Sequence, residues 1–407
     1  RKGAKYCLTD NKNYKENKKI IYVKNIFDYL TELAKKKRKL YQGQVVGITG
    51  SAGKTTLKET LAFFLKKEHI ISYSQKSFNN ELGVLISLLN LNLNSSFSIF
   101  EIGTNNFGEI KDLTNLVKPT QIFITNIQST HLKNFKTKNN IAKEKSDIFN
   151  SKYNFKRKKL YLNINTNSEN IILKRAKKEK KIKLIFINNL SNNYFIKKIG
   201  FDKKNYSATL SINKKDIILN TALQLSFRLN NLLFCYAFFV ENDLKVNIIT
   251  KNYKSLKPVD GRGLIHNISL GTKKVKIIDE SYNANPETMF QSIDYLENMK
   301  KLYSKKIIIL GNMNELGSKS DELHLGLLNY IDNYSFKFVI LCGKFYKRSI
   351  KKLNNPRNKF IYFESKNEIM IFLKKFVHNN DIILIKCSNV TEINKFTKKL
   401  LKKGIEV

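Results

Sequence analysis

The chain has 407 residues, 42% hydrophobic and 11% aromatic, enough apolar mass for two or three packed domains, which excludes a globally disordered protein. A formal charge of +41 would ordinarily suggest nucleic acid, yet only 8 of the 74 basic residues are arginine, and lysine, asparagine and isoleucine are abundant throughout, as in an AT-rich coding sequence. The lysines are read as a solvated surface, and no specific nucleic-acid partner is expected. The longest apolar run, Leu232 to Val240, is far short of the ~20 residues of a membrane helix, so no transmembrane segment is expected and a cytoplasmic location is. Cys7, Cys235, Cys342 and Cys387 stand apart without a CxxC pair, which indicates neither a disulfide framework nor a zinc site.

Apolar β-rich runs alternate with amphipathic stretches, the pattern of an α/β protein with mainly parallel sheets. In the first block, strands are predicted at 44–49, 97–102, 121–126, 159–163 and 183–187, with helices at 55–67 and 141–149. A β-rich stretch at 194–220 precedes a helix near 230–241. The second block opens after Pro258, with strands predicted at 274–279, 305–310, 336–342, 359–363 and 381–386. A domain boundary is therefore placed at 257/258.

The segment GITGSAGKTT (47–56) lies between a strand and a helix, where glycines let backbone amides wrap phosphate oxygens at a positive helix end. Lys54 is positioned to neutralise phosphate and Thr55 to hold magnesium. Ile48 stands where the strict P-loop spacing has glycine, so the match is the shorter TGxxGKTT form. Glu101 ends a strand at the same sheet edge, a natural place for a magnesium ligand, and His131 follows the next strand. Lys145 shares a helix face with Ile141, Ile148 and Phe149; a lysine there either snorkels to solvent or is desolvated and reactive. In the second block, polar clusters at 279–286, 311–317 and 386–389 again follow strands, which suggests two α/β domains facing each other across a ligand cleft.

These motifs resemble the Mur ligase family over nearly the whole chain. The markers are TGSAGKTT (49–56), NNELG (79–83), EIGTNNFGEI (101–110), TNIQSTHLKNF (125–135), AKEKSDIF (142–149), GRG (261–263), DESYNANP (279–286), and GNMNELG (311–317) with His324 following. The resemblance implies a P-loop central domain at 39–257, a Rossmann-like C-terminal domain at 258–407, and residues 1–38 as the remnant of a mostly missing N-terminal domain that binds the UDP-linked substrate. Arg1 in place of Met fits the expectation of a fragment. It further implies ATP-dependent amide synthesis for peptidoglycan precursors: D-alanyl-D-alanine is joined to UDP-N-acetylmuramoyl-tripeptide through an acyl phosphate, by an enzyme expected to be a monomer.

By that resemblance Gly50, Ser51, Ala52, Gly53, Lys54, Thr55 and Thr56 cradle ATP, with Asn231, Arg262, Asp279 and Glu280 on the rest of the nucleotide. Thr55, Glu101, His131 and a carbamylated Lys145 serve two magnesium ions; Lys54, His131 and Lys145 are the catalytic group; Asn79, Asn80 and Asn105 lie near the peptide substrate. Three departures stand out: Asp279-Glu280 replaces paired aspartates, LSFR at 225–228 replaces a glycine-histidine-asparagine approach to Asn231, and Asn312 replaces an aspartate. Another Mur-type amide ligase and a non-catalytic ATP-binding relative are the alternatives.

Overall fold

Strands that read as nearly continuous apolar runs must be covered on both faces, and parallel sheets flanked by helices meet that demand. The computed structural model describes residues 4–14, 18–149, 157–163, 169–179, 181–189, 193–202, 205–221, 229–299 and 305–403. Its strands are β1 (Cys7–Thr9), β2 (Ile20–Tyr22), β3 (Gln44–Thr49), β4 (Ile71–Tyr73), β5 (Phe97–Glu101), β6 (Gln121–Ile124), β7 (Lys158–Asn163), β8 (Ile182–Ile187), β9 (Tyr194–Asp202), β10 (Asn205–Ile212), β11 (Lys215–Thr221), β12 (Leu264–Leu270), β13 (Lys273–Glu280), β14 (Lys306–Gly311), β15 (Phe338–Cys342), β16 (Phe360–Tyr362) and β17 (Ile382–Lys386).

The first sheet runs β4-β5-β3-β6-β7-β8 and is parallel throughout. The second runs β12-β13-β17-β14-β15-β16 and is parallel except for the antiparallel pair β12/β13. All ten strands predicted in the two blocks are present, with ends shifted by one or two residues. β4 and β12 are additions to that reading. β4 is three half-buried residues, and β12 is a partly exposed edge strand, so neither carries the apolar run that marks its neighbours.

The β-rich stretch forms the antiparallel meander β9-β10-β11, whose Ala208, Leu210 and Leu219 share a core with the helix Leu229–Glu241. Every residue of that helix from Leu232 to Phe239 is buried, so it is apolar on all sides, as a helix between packed layers must be. The helix Ile26–Leu40 starts at Asn25, whose side chain accepts from the Phe27 and Asp28 amides. It straddles the expected boundary at 38/39 and packs on the central domain, where Arg38 donates from Nε to Val117 O at 2.6 Å and from its terminal nitrogen to Lys118 O at 3.1 Å. Among the described residues, no helix is long and apolar enough to cross a membrane.

Candidate active site

Ligands of open parallel sheets gather at the carboxyl ends of strands. β3 ends there in the glycine loop. Gly50 has φ +143°, and a Cβ on it would meet Thr125 Oγ1 at 1.9 Å; Gly53, at φ +82°, starts the helix Lys54–Leu65 without a side-chain cap. The first-turn amides of that helix are therefore open to an anion. Asn126 braces the loop: its carbonyl accepts from Ser51 N at 3.0 Å and its side chain from Ala52 N at 2.9 Å. Lys54 Nζ folds back onto Gly50 O at 2.8 Å. Desolvation, together with nearby Arg262, holds its pKa below the usual lysine range against the opposing pull of Glu101.

Glu101 is buried and doubly held: Thr55 Oγ1 donates to Oε2 at 2.8 Å and Asn79 Nδ2 donates to Oε1 at 2.7 Å. Ser77 Oγ lies 3.2 Å from Thr55 Oγ1. This hydroxyl and carboxylate cluster is the oxygen donor set a magnesium ion takes when phosphates and waters complete its shell. Among the described residues, no group of three or more His, Cys, Asp or Glu could hold a metal ion unaided. His131 Nδ1 donates to the Glu315 carboxylate and Nε2 is not engaged by that bond, the arrangement in which a carboxylate orients a metal-binding imidazole. That bond, ahead of an opposing push from burial, holds the Glu315 carboxyl below the usual range.

Lys145 is 2% exposed, so the desolvated alternative is realised and the snorkelling one is not. Burial first, and then Lys54, hold its pKa well below the usual lysine range, with Glu144 opposing. Glu144 itself accepts from Gly108 N at 2.8 Å and Ile110 N at 2.9 Å, tying the loop that carries Asn105 to the Lys145 helix.

Across from the P-loop, Arg262 stacks on Tyr282 with its guanidinium carbon 4.2 Å from the ring centroid, and Lys386 Nζ donates to Glu280 at 3.0 Å. Both edges close on one cavity of about 390 Å³, lined on one side by the P-loop from Ser51 to Thr56, Asn79, Asn80, Glu101, Asn105 and His131. Asn231, Arg262 and Glu280 complete the lining. Asp279, Lys145 and Gly50 do not line it: Asp279 is buried and accepts from Ser281 N and Oγ at 3.1 and 2.6 Å. The departure at 225–228 lies outside the described residues; Asn312 packs beside Gly343, away from the cavity.

Sequence reasoning gave no individual role to Ser77, Tyr282 and Lys386, which line the cavity, nor to Glu144, Glu315 and Lys58, which lie outside its lining and hold segments that carry it. Lys58 is wholly buried one turn after Lys54. Its signal, a lysine among apolar residues on a helix, is the one that marked Lys145. Glu144 and Glu315 lie within the AKEKSDIF and GNMNELG segments, but the partners that define their roles, Gly108 and Ile110 for one and His131 for the other, are remote in sequence.

The family model described as Mur ligase middle domain matches residues 48–239, and that described as Mur ligase, glutamate ligase domain matches 267–389. The UDP-N-acetylmuramoyl-tripeptide--D-alanyl-D-alanine ligase of Rickettsia prowazekii is 30% identical over 413 aligned residues, spanning 97% of this chain and 86% of the relative. This chain belongs to the Mur ligase family. The enzyme of the same name from Escherichia coli is 24% identical, over 92% of this chain and 80% of its own. Among solved structures, the MurF ligase of Thermotoga maritima in complex with ADP superposes with a TM-score of 0.82 at 23% identity, covering 99% of this chain and 90% of that one. MurF from Acinetobacter baumannii gives 0.82 at 22% identity, over 94% and 82%. The α/β architecture and the two facing sheets of this Mur ligase are thus the fold of those enzymes.

Proposed function

We propose that this Mur ligase uses ATP to join D-alanyl-D-alanine to UDP-N-acetylmuramoyl-tripeptide in peptidoglycan precursor synthesis. The observation that carries this reading is the single cavity onto which the P-loop and Glu101 of one domain and Arg262 and Glu280 of the other converge. The terminal carboxylate of the tripeptide attacks the γ-phosphorus of ATP; the bond to the bridging oxygen breaks and ADP leaves. The dipeptide amine then attacks the acyl carbon, loses its proton, and expels phosphate. No covalent enzyme intermediate is required, so the protein's work is positioning and charge stabilisation.

In this reading the P-loop amides from Ser51 to Thr56 and the Lys54 ammonium hold the phosphates, with Gly50 shaping the turn. Asn231, Arg262 and Glu280 serve the remainder of the nucleotide, and Asp279, turned onto Ser281, supports that edge from behind. Thr55, Glu101, His131 through Nε2, and a carbamylated Lys145 hold two magnesium ions, which when bound neutralise phosphate charge. A neutral, desolvated Lys145 amine can attack carbon dioxide and lose a proton, giving a carbamate whose oxygens suit a hard cation. Asn79, Asn80 and Asn105 orient the peptide. Both sides of the cavity come from one chain, which supports a monomer, and a nucleotide-linked acceptor together with ATP supports action in the cytoplasm. The proposed domain limits are 1–38, 39–257 and 258–407, with the helix Ile26–Leu40 crossing the first of them and packed on the central domain.

The test is phosphate release by the purified protein with ATP, magnesium, the UDP-linked tripeptide and D-alanyl-D-alanine. Release should need both acceptor and dipeptide, and Lys54→Ala should abolish it while leaving the far-ultraviolet dichroism unchanged. Release that ignores the dipeptide, or that responds equally to single amino acids, would overturn the assignment in favour of another amide ligase.

A further inference from the structure

The helix that follows the P-loop carries a second lysine with no part in the reaction outlined above. Lys58 is 0% exposed, a costly place for an ammonium unless its donors are all used. They are used on the backbone of one segment: Nζ donates to Ser74 O at 2.6 Å and to Lys76 O. Glu59 Oε1 lies 3.1 Å away and Glu101 Oε2 4.0 Å away. Lys76 sits in the left-handed region at φ +47°, where a side chain other than glycine is strained, and its carbonyl is turned onto the Lys58 ammonium.

The segment so tethered, residues 74–80, carries the groups proposed to meet the acceptor. Asn79 reaches Glu101 through its side chain and receives Gly103 N on its carbonyl at 2.8 Å, and Asn80 caps the helix Glu81–Leu89 by accepting from Gly83 N at 3.0 Å. The P-loop is held separately, by Asn126.

We propose that Lys58 is a positioning residue for the peptide acceptor: it pins the carbonyls of Ser74 and Lys76 and so sets where Asn79 and Asn80 stand. This rests on the ligase reading above. The nucleotide's phosphates are held by amides that Lys58 does not touch, so its loss should separate the two substrates in kinetics, which a general loss of packing would not do.

The experiment compares the full chain with Lys58→Met, which keeps the length without the charge, and with Lys76→Pro. The proline ring holds φ near −65° and removes the left-handed turn from an exposed position outside the core. Both variants should raise the acceptor KM at least tenfold while the KM for ATP stays within threefold of the parent. An acceptor KM within threefold in both, or acceptor and ATP constants rising in parallel, would overturn the proposal. Should Lys58→Met fail to fold, Lys76→Pro decides alone. Hydrogen exchange of amides 75–80 gives a readout that needs no turnover: exchange at least tenfold faster in the variants is expected, and unchanged exchange would overturn the tether even if the unaltered protein proved to catalyse another reaction.

Discussion

Thr55 Oγ1 donates to Glu101 Oε2 at 2.8 Å, joining the first turn of the P-loop helix to the last residue of β5. The two side chains belong to segments about 46 positions apart, yet they meet because β3 and β5 are neighbours in register, Ile48 opposite Glu101. Two neutral side chains, Thr55 and Asn79, hold one carboxylate oxygen each and fix the direction in which the group faces the cavity.

Replacing Glu101 with alanine should therefore raise the magnesium concentration needed for half-maximal turnover by at least about tenfold. ATP affinity in magnesium-free buffer should change little, since the amides and Lys54 remain. A magnesium titration superimposable on that of the parent protein would remove Glu101 from the metal site.

Lys145→Ala should reduce turnover to below about 1% of the parent, the scale on which a preorganised charge is lost from an active site. Formate or acetate should restore part of it by filling the vacated anion site. Stripping carbon dioxide from the buffers should lower parental activity, and bicarbonate should return it. Full activity in Lys145→Ala would exclude a carbamate at this position.

The two domains are docked through Glu287, which accepts from Ser129 N at 3.2 and 3.1 Å and from Ser129 Oγ at 2.9 Å, and pairs with Lys138 at 2.5 Å. Its carboxyl, although pushed up by burial, is held below the usual range by Lys138 and its other donors. Glu287→Ala should weaken docking by about 2 kcal/mol, shifting the closed-to-open ratio by roughly thirtyfold. Small-angle scattering of the ligand-free variant should show a larger radius of gyration than the parent; identical curves would contradict this.

His324 accepts from Met313 N at 3.0 Å through Nε2, and its Nδ1 donates to Ser320 O at 2.6 Å, so both ring nitrogens are used in the neutral form. Burial lowers its pKa to about 4 from 6.5. Between those values the unfolded chain binds a proton that the folded one refuses. Stability should then fall as pH drops from about 6.5 to 4, by on the order of 3 kcal/mol from this group, with no contribution from it above that window. Denaturant titrations should show a shallower acid slope in His324→Gln than in the parent, and parallel slopes would show that the ring is not held neutral.

The sequence by itself determined the α/β class, the ten block strands and the P-loop, because apolar period, strand length and glycine spacing are local properties that each segment carries alone. It also marked Lys145, since a lysine on an apolar helix face is visible in a window of nine residues. Sheet order was decided only in the tertiary structure: nothing local says that β3 stands between β5 and β6, or that β17 stands between β13 and β14. The same holds for the partners of charged groups. Lys58 and Lys145 are buried while the neighbouring Lys66, Lys67 and Lys143 are exposed, and composition alone makes them equivalent. Glu144 finds Gly108 and Ile110, and Glu315 finds His131 in the other domain, through contacts that close only when distant strands pair and the domains dock. A carboxylate's role depends on which donors surround it, and that is a property of the assembled fold.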